Sequence, residues 1–138
     1  MASAGLLAGV GWFAIGIAIA SALVLAVALG AVEAGAAWSS TLVAAPLALG
    51  WAAQVLIASW THLLPSIGPG GPVEHARQRV VLGRVATPRL IGINGGTALL
   101  AVGWPMGIGW AVAVGASTAG AALLATVVLT VLALRAGR

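Results

Sequence analysis

His62, His75, Asn94 and Gln54 are the residues of this chain best suited to hold a ligand. Neutral imidazole binds copper, zinc and heme iron. The two histidines flank a Gly/Pro-rich segment, Ile67-Gly68-Pro69-Gly70-Gly71-Pro72, which can fold back and bring both rings to one metal or heme. Equally, one ring can serve alone with donors from a partner chain. Helical spacing places Trp51, Gln54, Ala58, Thr61 and His62 on one stripe. Asn94 and Thr97 fall at a similar depth on a later segment, as do Thr126 and Thr130 on the last, so together they can enclose a polar wedge. The competing reading is packing, because Ser, Thr, Asn and Gln in apolar helices most often hydrogen-bond across an interface for about 0.6 kcal/mol each.

The remaining chemistry is sparse. Cysteine is absent, and Glu33 and Glu74 are the only carboxylate side chains. These two facts exclude disulfides, thiolate-ligated zinc or copper and iron–sulfur clusters, and leave too few donors for a self-contained metalloenzyme. No Walker A loop, nucleophile elbow, H-E-x-x-H or paired-carboxylate pattern is present. Without an acid in mid-segment, a proton-coupled exporter is poorly supported, and Glu33 reads as a stop at a helix end.

The elements that position these residues follow from composition. Hydrophobic residues make up 62% of the 138 and charged ones 6%, with a mean hydropathy of +1.15. Such a chain needs lipid as its solvent, and about 20 apolar residues cross a bilayer as a helix. Interruptions divide it into four predicted spans, at about 5–32, 41–64, 89–103 and 108–134, in a single membrane domain covering 1–138. The first apolar run exceeds the ~7–15 residues of a signal peptide and is expected to be a retained span. The third is short, contains Asn94, Gly92, Gly95 and Gly96, and has a re-entrant hairpin as its alternative.

Orientation follows from arginine. Arg77, Arg79, Arg84 and Arg89 lie in or beside the loop at 65–88, and Arg135 and Arg138 close the chain. Four spans put all six on one side, whereas three would divide them, so the positive-inside rule predicts an all-α four-helix bundle with both termini cytoplasmic. Tryptophan supports this parse: Trp38, Trp104 and Trp110 fall at the outer boundary and Trp60 near the inner one, whereas Trp12 is deeper and Trp51 sits near mid-membrane. Within the basic loop, 73–85 is either a short amphipathic surface helix, with Glu74 pairing with Arg77, or a solvated connector. The arginines are too few and too closely flanked by apolar runs to bind nucleic acid, and are expected to anchor to an anionic leaflet. Gly5/Gly9 and Gly92/Gly96 form G-x-x-x-G pairs, with Gly115/Ala119 and Ala116/Gly120 as small-residue equivalents, which suit a tight bundle or a homo-oligomer.

Several short stretches carry a resemblance: Ser59-Trp60-Thr61-His62-Leu63-Leu64-Pro65, Gly68-Pro69-Gly70-Gly71-Pro72, His75-Ala76-Arg77-Gln78-Arg79, Leu82-Gly83-Arg84 and Asn94-Gly95-Gly96. Across about 51–103 the chain resembles the membrane-embedded segment of actinobacterial multicopper oxidase and copper nitrite reductase-like proteins. More distantly, it is similar to NnrS-type heme–copper membrane proteins. The resemblance implies a copper- or heme-associated module with His62 and His75 as candidate ligands, but the chain has no cupredoxin domain and is much shorter than an NnrS-type protein. The expectation is a multi-pass protein of a bacterial plasma membrane, a non-catalytic module that binds heme or copper through a cytoplasm-facing cluster including Gln54 and Asn94. A transporter or channel subunit that works as an oligomer is the first alternative, and a structural or assembly subunit of a membrane complex the second.

Overall fold

The computed structural model describes residues 2–35 and 37–136, with side chains from residue 3 onward except those at 36–39. The expected anchoring by Arg138 and boundary placement of the Trp38 indole lie outside the described residues. The described chain is helical: α1 (Ala2–Ala28), α2 (Ala37–Ala44), a π-helical segment (Ala45–Ala53), α3 (Gln54–Ile67), α4 (Pro72–Gly83), α5 (Ala86–Gly103) and α6 (Gly109–Ala136). Three helical stretches are long and apolar enough to cross a bilayer, Ser3–Ala28, Ser40–Ile67 and Gly109–Ala136. A fourth is reached when α4 and α5, bent by 45° at their junction, count as one. The 18 residues of α5 alone reach about 27 Å, close to the thickness of the hydrocarbon core.

Helix ends differ from the sequence reading where glycine decides them. The first span was expected to reach residue 32, but α1 stops at Ala28. Gly30 adopts φ +69°, and its N–H bonds to the Val27 carbonyl while Ala31 N–H bonds to Ala26. This paired pattern is a Schellman cap, which favours glycine because a side chain is strained at that φ. Gly107, at φ +65°, closes the α5 end in the same way, with Gly107 N–H bonded to Trp104 and Ile108 N–H to Gly103.

The second span contains the largest surprise. Ser40–Ile67 runs through as one apolar stretch, yet Ala45–Ala53 within it is wound as a π-helix with Pro46 near its start. Proline offers no N–H and its ring crowds the carbonyl four residues earlier, and widening the turn relieves both problems. Side chains in this segment therefore depart from α-helical spacing. Gln54 and Ala58 of the expected stripe are buried, whereas Trp51 and His62 are exposed and Thr61 is half-buried. Trp51 meets the Phe13 ring of α1 at 4.8 Å between centroids.

Packing fixes the order of helices. α1 lies along the π segment and α3, the π segment meets α5, and α5 forms a close hairpin with α6. The hairpin depends on small residues: a Cβ on Gly96 would lie 2.7 Å from the Gly115 carbonyl, and one on Gly103 2.7 Å from the Ala111 side chain. Both G-x-x-x-G pairs face inward, Gly5 and Gly9 toward Ala58 and Val55, Gly92 and Gly96 toward Ala122 and Ala119. The segment at 73–85 is helical, as α4, rather than a solvated connector. Its Gln78 and Leu82, one turn apart, are buried, while Arg77, Arg79 and Arg84 are exposed. Leu82 joins Leu64 of α3 and Ala133 of α6 in one apolar cluster. Since Gly5 of α1 packs beside Ala58 of α3, the α1 start, α4 and the α6 end share one end of the bundle.

Candidate functional site

Two of the four predicted ligand residues meet in the bundle interior. The Trp12 indole N–H donates to Asn94 Oδ1 at 2.8 Å, and Gln54 Nε2 donates to the same oxygen at 3.1 Å. Asn94 Nδ2 returns a bond to Gln54 Oε1 at 3.3 Å and a second to the Leu90 carbonyl of its own helix at 2.8 Å. Three helical stretches, α1, Ser40–Ile67 and α5, are thus tied at one point. Asn94 sits one turn beyond Leu90 on the face of α5 that approaches the second span, and Gln54 sits where the π segment returns to α-helix. Both lone pairs of Asn94 Oδ1 and both N–H groups of its amide are engaged.

His62 and His75 stand apart from this cluster. His62 is exposed on α3. His75, on the first turn of α4, has Nε2 3.1 Å from the Gly68 carbonyl, and Gln78 Nε2 donates to the Pro69 carbonyl at 3.0 Å. Both contacts fasten α4 to the Gly/Pro segment that precedes it. Among the described residues, no group of three or more His, Asp or Glu side chains converges. The described residues thus form no three-ligand metal site, whereas heme iron needs only one imidazole.

The expected polar wedge resolves into local contacts. Thr61 Oγ1 donates within its own helix, to the Ile57 or Ala58 carbonyl, Thr126 Oγ1 to Ala122 and Thr130 Oγ1 to Thr126. Thr97 is fully buried and its hydroxyl has no hydrogen-bond partner. The small cavity beside Gln54, about 20 Å³ and lined by Gly5, Ile57, Ala58, Thr61, Arg89, Leu90 and Ile93, is mostly apolar.

Sequence reasoning missed Arg89. Expected as an anchor at the lipid–water boundary, it is only 3% exposed. Its guanidinium donates to the Leu82 carbonyl near the end of α4 and to Thr126 Oγ1 at 3.4 Å on α6. One side chain therefore joins α5 to α4 across their bend and to α6. The signal was available: Arg89, Gly92, Ile93 and Gly96 recur at helical spacing, and the glycines already marked that face as the packed one. Between α4 and α5, Val85 adopts φ +44°, an unusual conformation for a β-branched residue, which lets the chain turn there.

In the first turn of α4, the Glu74 carboxylate is held below its ordinary pKa of 4.5 chiefly by hydrogen bonds from its own amide and from Gly71 N–H. The Gly71 bond is 2.8 Å and caps the α4 N-terminus. Glycine has no side chain to return the bond, so half of a capping box is formed.

No protein-family model matches the chain, and no curated protein or solved structure is significantly similar to it.

Proposed function

We propose that this chain is a non-catalytic structural or assembly subunit of a bacterial plasma membrane. It crosses four times with both termini and α4 on the cytoplasmic side. The observation that carries the reading is the closed Trp12–Gln54–Asn94 cluster, in which the most ligand-like amides in the spans are occupied by one another. Amides lining a solute path or a cofactor pocket would present free donors and acceptors to it. Here the Thr61, Thr126 and Thr130 hydroxyls also donate to carbonyls of their own helices, so they too offer a solute path no free donor. The basic residues support the orientation: Arg77, Arg79 and Arg84 on α4 and Arg135 on α6 are exposed at the end shared by α4 and the α6 C-terminus.

The test is an absorption spectrum with metal analysis on the full chain purified in detergent, paired with solute flux in liposomes. The expected result is colourless, metal-free protein, no Soret band, and no flux that responds to Gln54→Ala or Asn94→Ala. A Soret band or bound copper lost in His62→Ala would overturn the reading in favour of a cofactor module. Flux abolished by Asn94→Ala in a variant that still folds would overturn it in favour of transport.

A further inference from the structure

Span two and α6 leave a groove between them. α4 packs on both α3 and α6, through Leu82 against Leu64 and Ala133, but α3 and α6 barely touch each other. Beyond that bridge, toward mid-bundle, a groove of about 300 Å³ opens to the perimeter between Leu56, Ile57 and Trp60 on one wall and Thr126, Thr130, Val127 and Val131 on the other. Its lining is almost wholly apolar, and the Thr126 and Thr130 hydroxyls donate to carbonyls of their own helix. Such a groove offers a polar solute nothing and suits a hydrocarbon chain.

Charge at its mouth selects the class of lipid. Arg135 is exposed on α6, one turn past Val131 and on the same helical face. The exposed arginines of α4 lie at the same end. We propose that the groove is a binding site for one anionic phospholipid, its acyl chain lying between α3 and α6 and its phosphate paired with Arg135. The lipid would complete a helix pair that the protein does not pack by itself. A phosphate opposite a guanidinium gains charge-assisted, bidentate hydrogen bonds, whereas a zwitterionic headgroup brings its own cation to compete.

The experiment measures phospholipid phosphorus that stays with the full chain, purified in detergent and exchanged until bulk lipid is gone. The chain is offered phosphatidylglycerol and phosphatidylcholine in equal amounts. The wild type is expected to keep a stoichiometric amount of phospholipid enriched in phosphatidylglycerol. Val127→Trp, which fills the groove, should lose it several-fold. Val128→Trp, one residue round the helix, should keep it, and both variants are checked for folding by far-ultraviolet circular dichroism. Arg135→Gln should erase the phosphatidylglycerol preference. The proposal is overturned if the wild type retains no phospholipid, if folded Val127→Trp retains as much as wild type, or if Arg135→Gln keeps the preference. It is equally overturned if lipid-free protein is a dimer that Val127→Trp makes monomeric, since a second copy would then fill the groove.

Discussion

Replacing Asn94 by alanine should loosen the bundle at its centre. Asn94 makes three interhelical hydrogen bonds, one with Trp12 and two with Gln54. At ~0.6 kcal/mol for each such bond in a membrane helix bundle, their removal amounts to about 2 kcal/mol. Gln54 is 2% exposed and would be left with an unpaired amide, which adds part of the ~1–3 kcal/mol cost of a buried unsatisfied group. The expected loss for Asn94→Ala is therefore about 2–4 kcal/mol. Gln54→Leu alone should cost less, because Asn94 keeps the Trp12 N–H on its oxygen and the Leu90 carbonyl on its amide. In the Asn94→Ala, Gln54→Leu double variant both partners are gone, so the combined loss should fall short of the sum by at least ~1 kcal/mol. The assay is a double-mutant cycle from reversible unfolding in mixed micelles titrated with sodium dodecyl sulfate, followed by helical circular dichroism. Strict additivity, within ~0.3 kcal/mol, would refute the reciprocal amide pair.

Three further predictions concern single positions. A Cβ at Gly96 would meet the Gly115 carbonyl at 2.7 Å, whereas Gly95 has open space; Gly96→Ala should destabilise by about 1–3 kcal/mol, and Gly95→Ala should be neutral or gain up to ~1 kcal/mol, as read by the same unfolding titration. Thr97→Val replaces a buried hydroxyl that has no partner with a methyl group, and should raise the unfolding midpoint by the equivalent of about 1 kcal/mol. For Glu74 the folded pKa lies below the ordinary 4.5, so its contribution to the α4 cap is fully present above that value and lost as pH falls through the depressed pKa. Protection factors in the first turn of α4, corrected for the pH dependence of intrinsic exchange, should therefore fall on acidification below the ordinary carboxylate range, and Glu74→Gln should show low protection at neutral pH with a flatter response.

What the sequence made legible and what it hid divide along physical lines. Charge and hydropathy act over whole segments, so the three long helices and the exposed arginines of α4 were visible before any coordinates. The packing role of Gly92 and Gly96 was visible too, since only a close neighbour demands missing side chains at that spacing. The end of α1 was misjudged because Leu29, Ala31 and Val32 extend the apolar run although Gly30 has already closed the helix. The stripe on the second span failed at Trp51, which lies in the π-helical segment Ala45–Ala53, and at His62, which α3 turns outward although its winding is regular. The meeting of Gln54 with Asn94 was foreseeable only as a shared depth. Their actual partner, Trp12, comes from a helix more than 80 residues away in sequence, and no local pattern encodes that pairing. Arg89 was misread because an arginine next to a loop usually reaches for water, whereas here it binds the Leu82 carbonyl, one of those left without an intrahelical partner where α4 ends at Gly83.

The measurement that tests the account most directly is sidedness, and a chain without native cysteine lends itself to it. Single cysteines at Arg79 on α4, Arg135 at the end of α6 and Met106 in the α5–α6 turn would be probed with a membrane-impermeant maleimide in intact cells and in inverted vesicles. The account predicts that 79 and 135 react only in inverted vesicles and 106 only in intact cells. Labelling of 79 and 135 from opposite sides would contradict the four-crossing bundle, and the roles assigned to its interior with it.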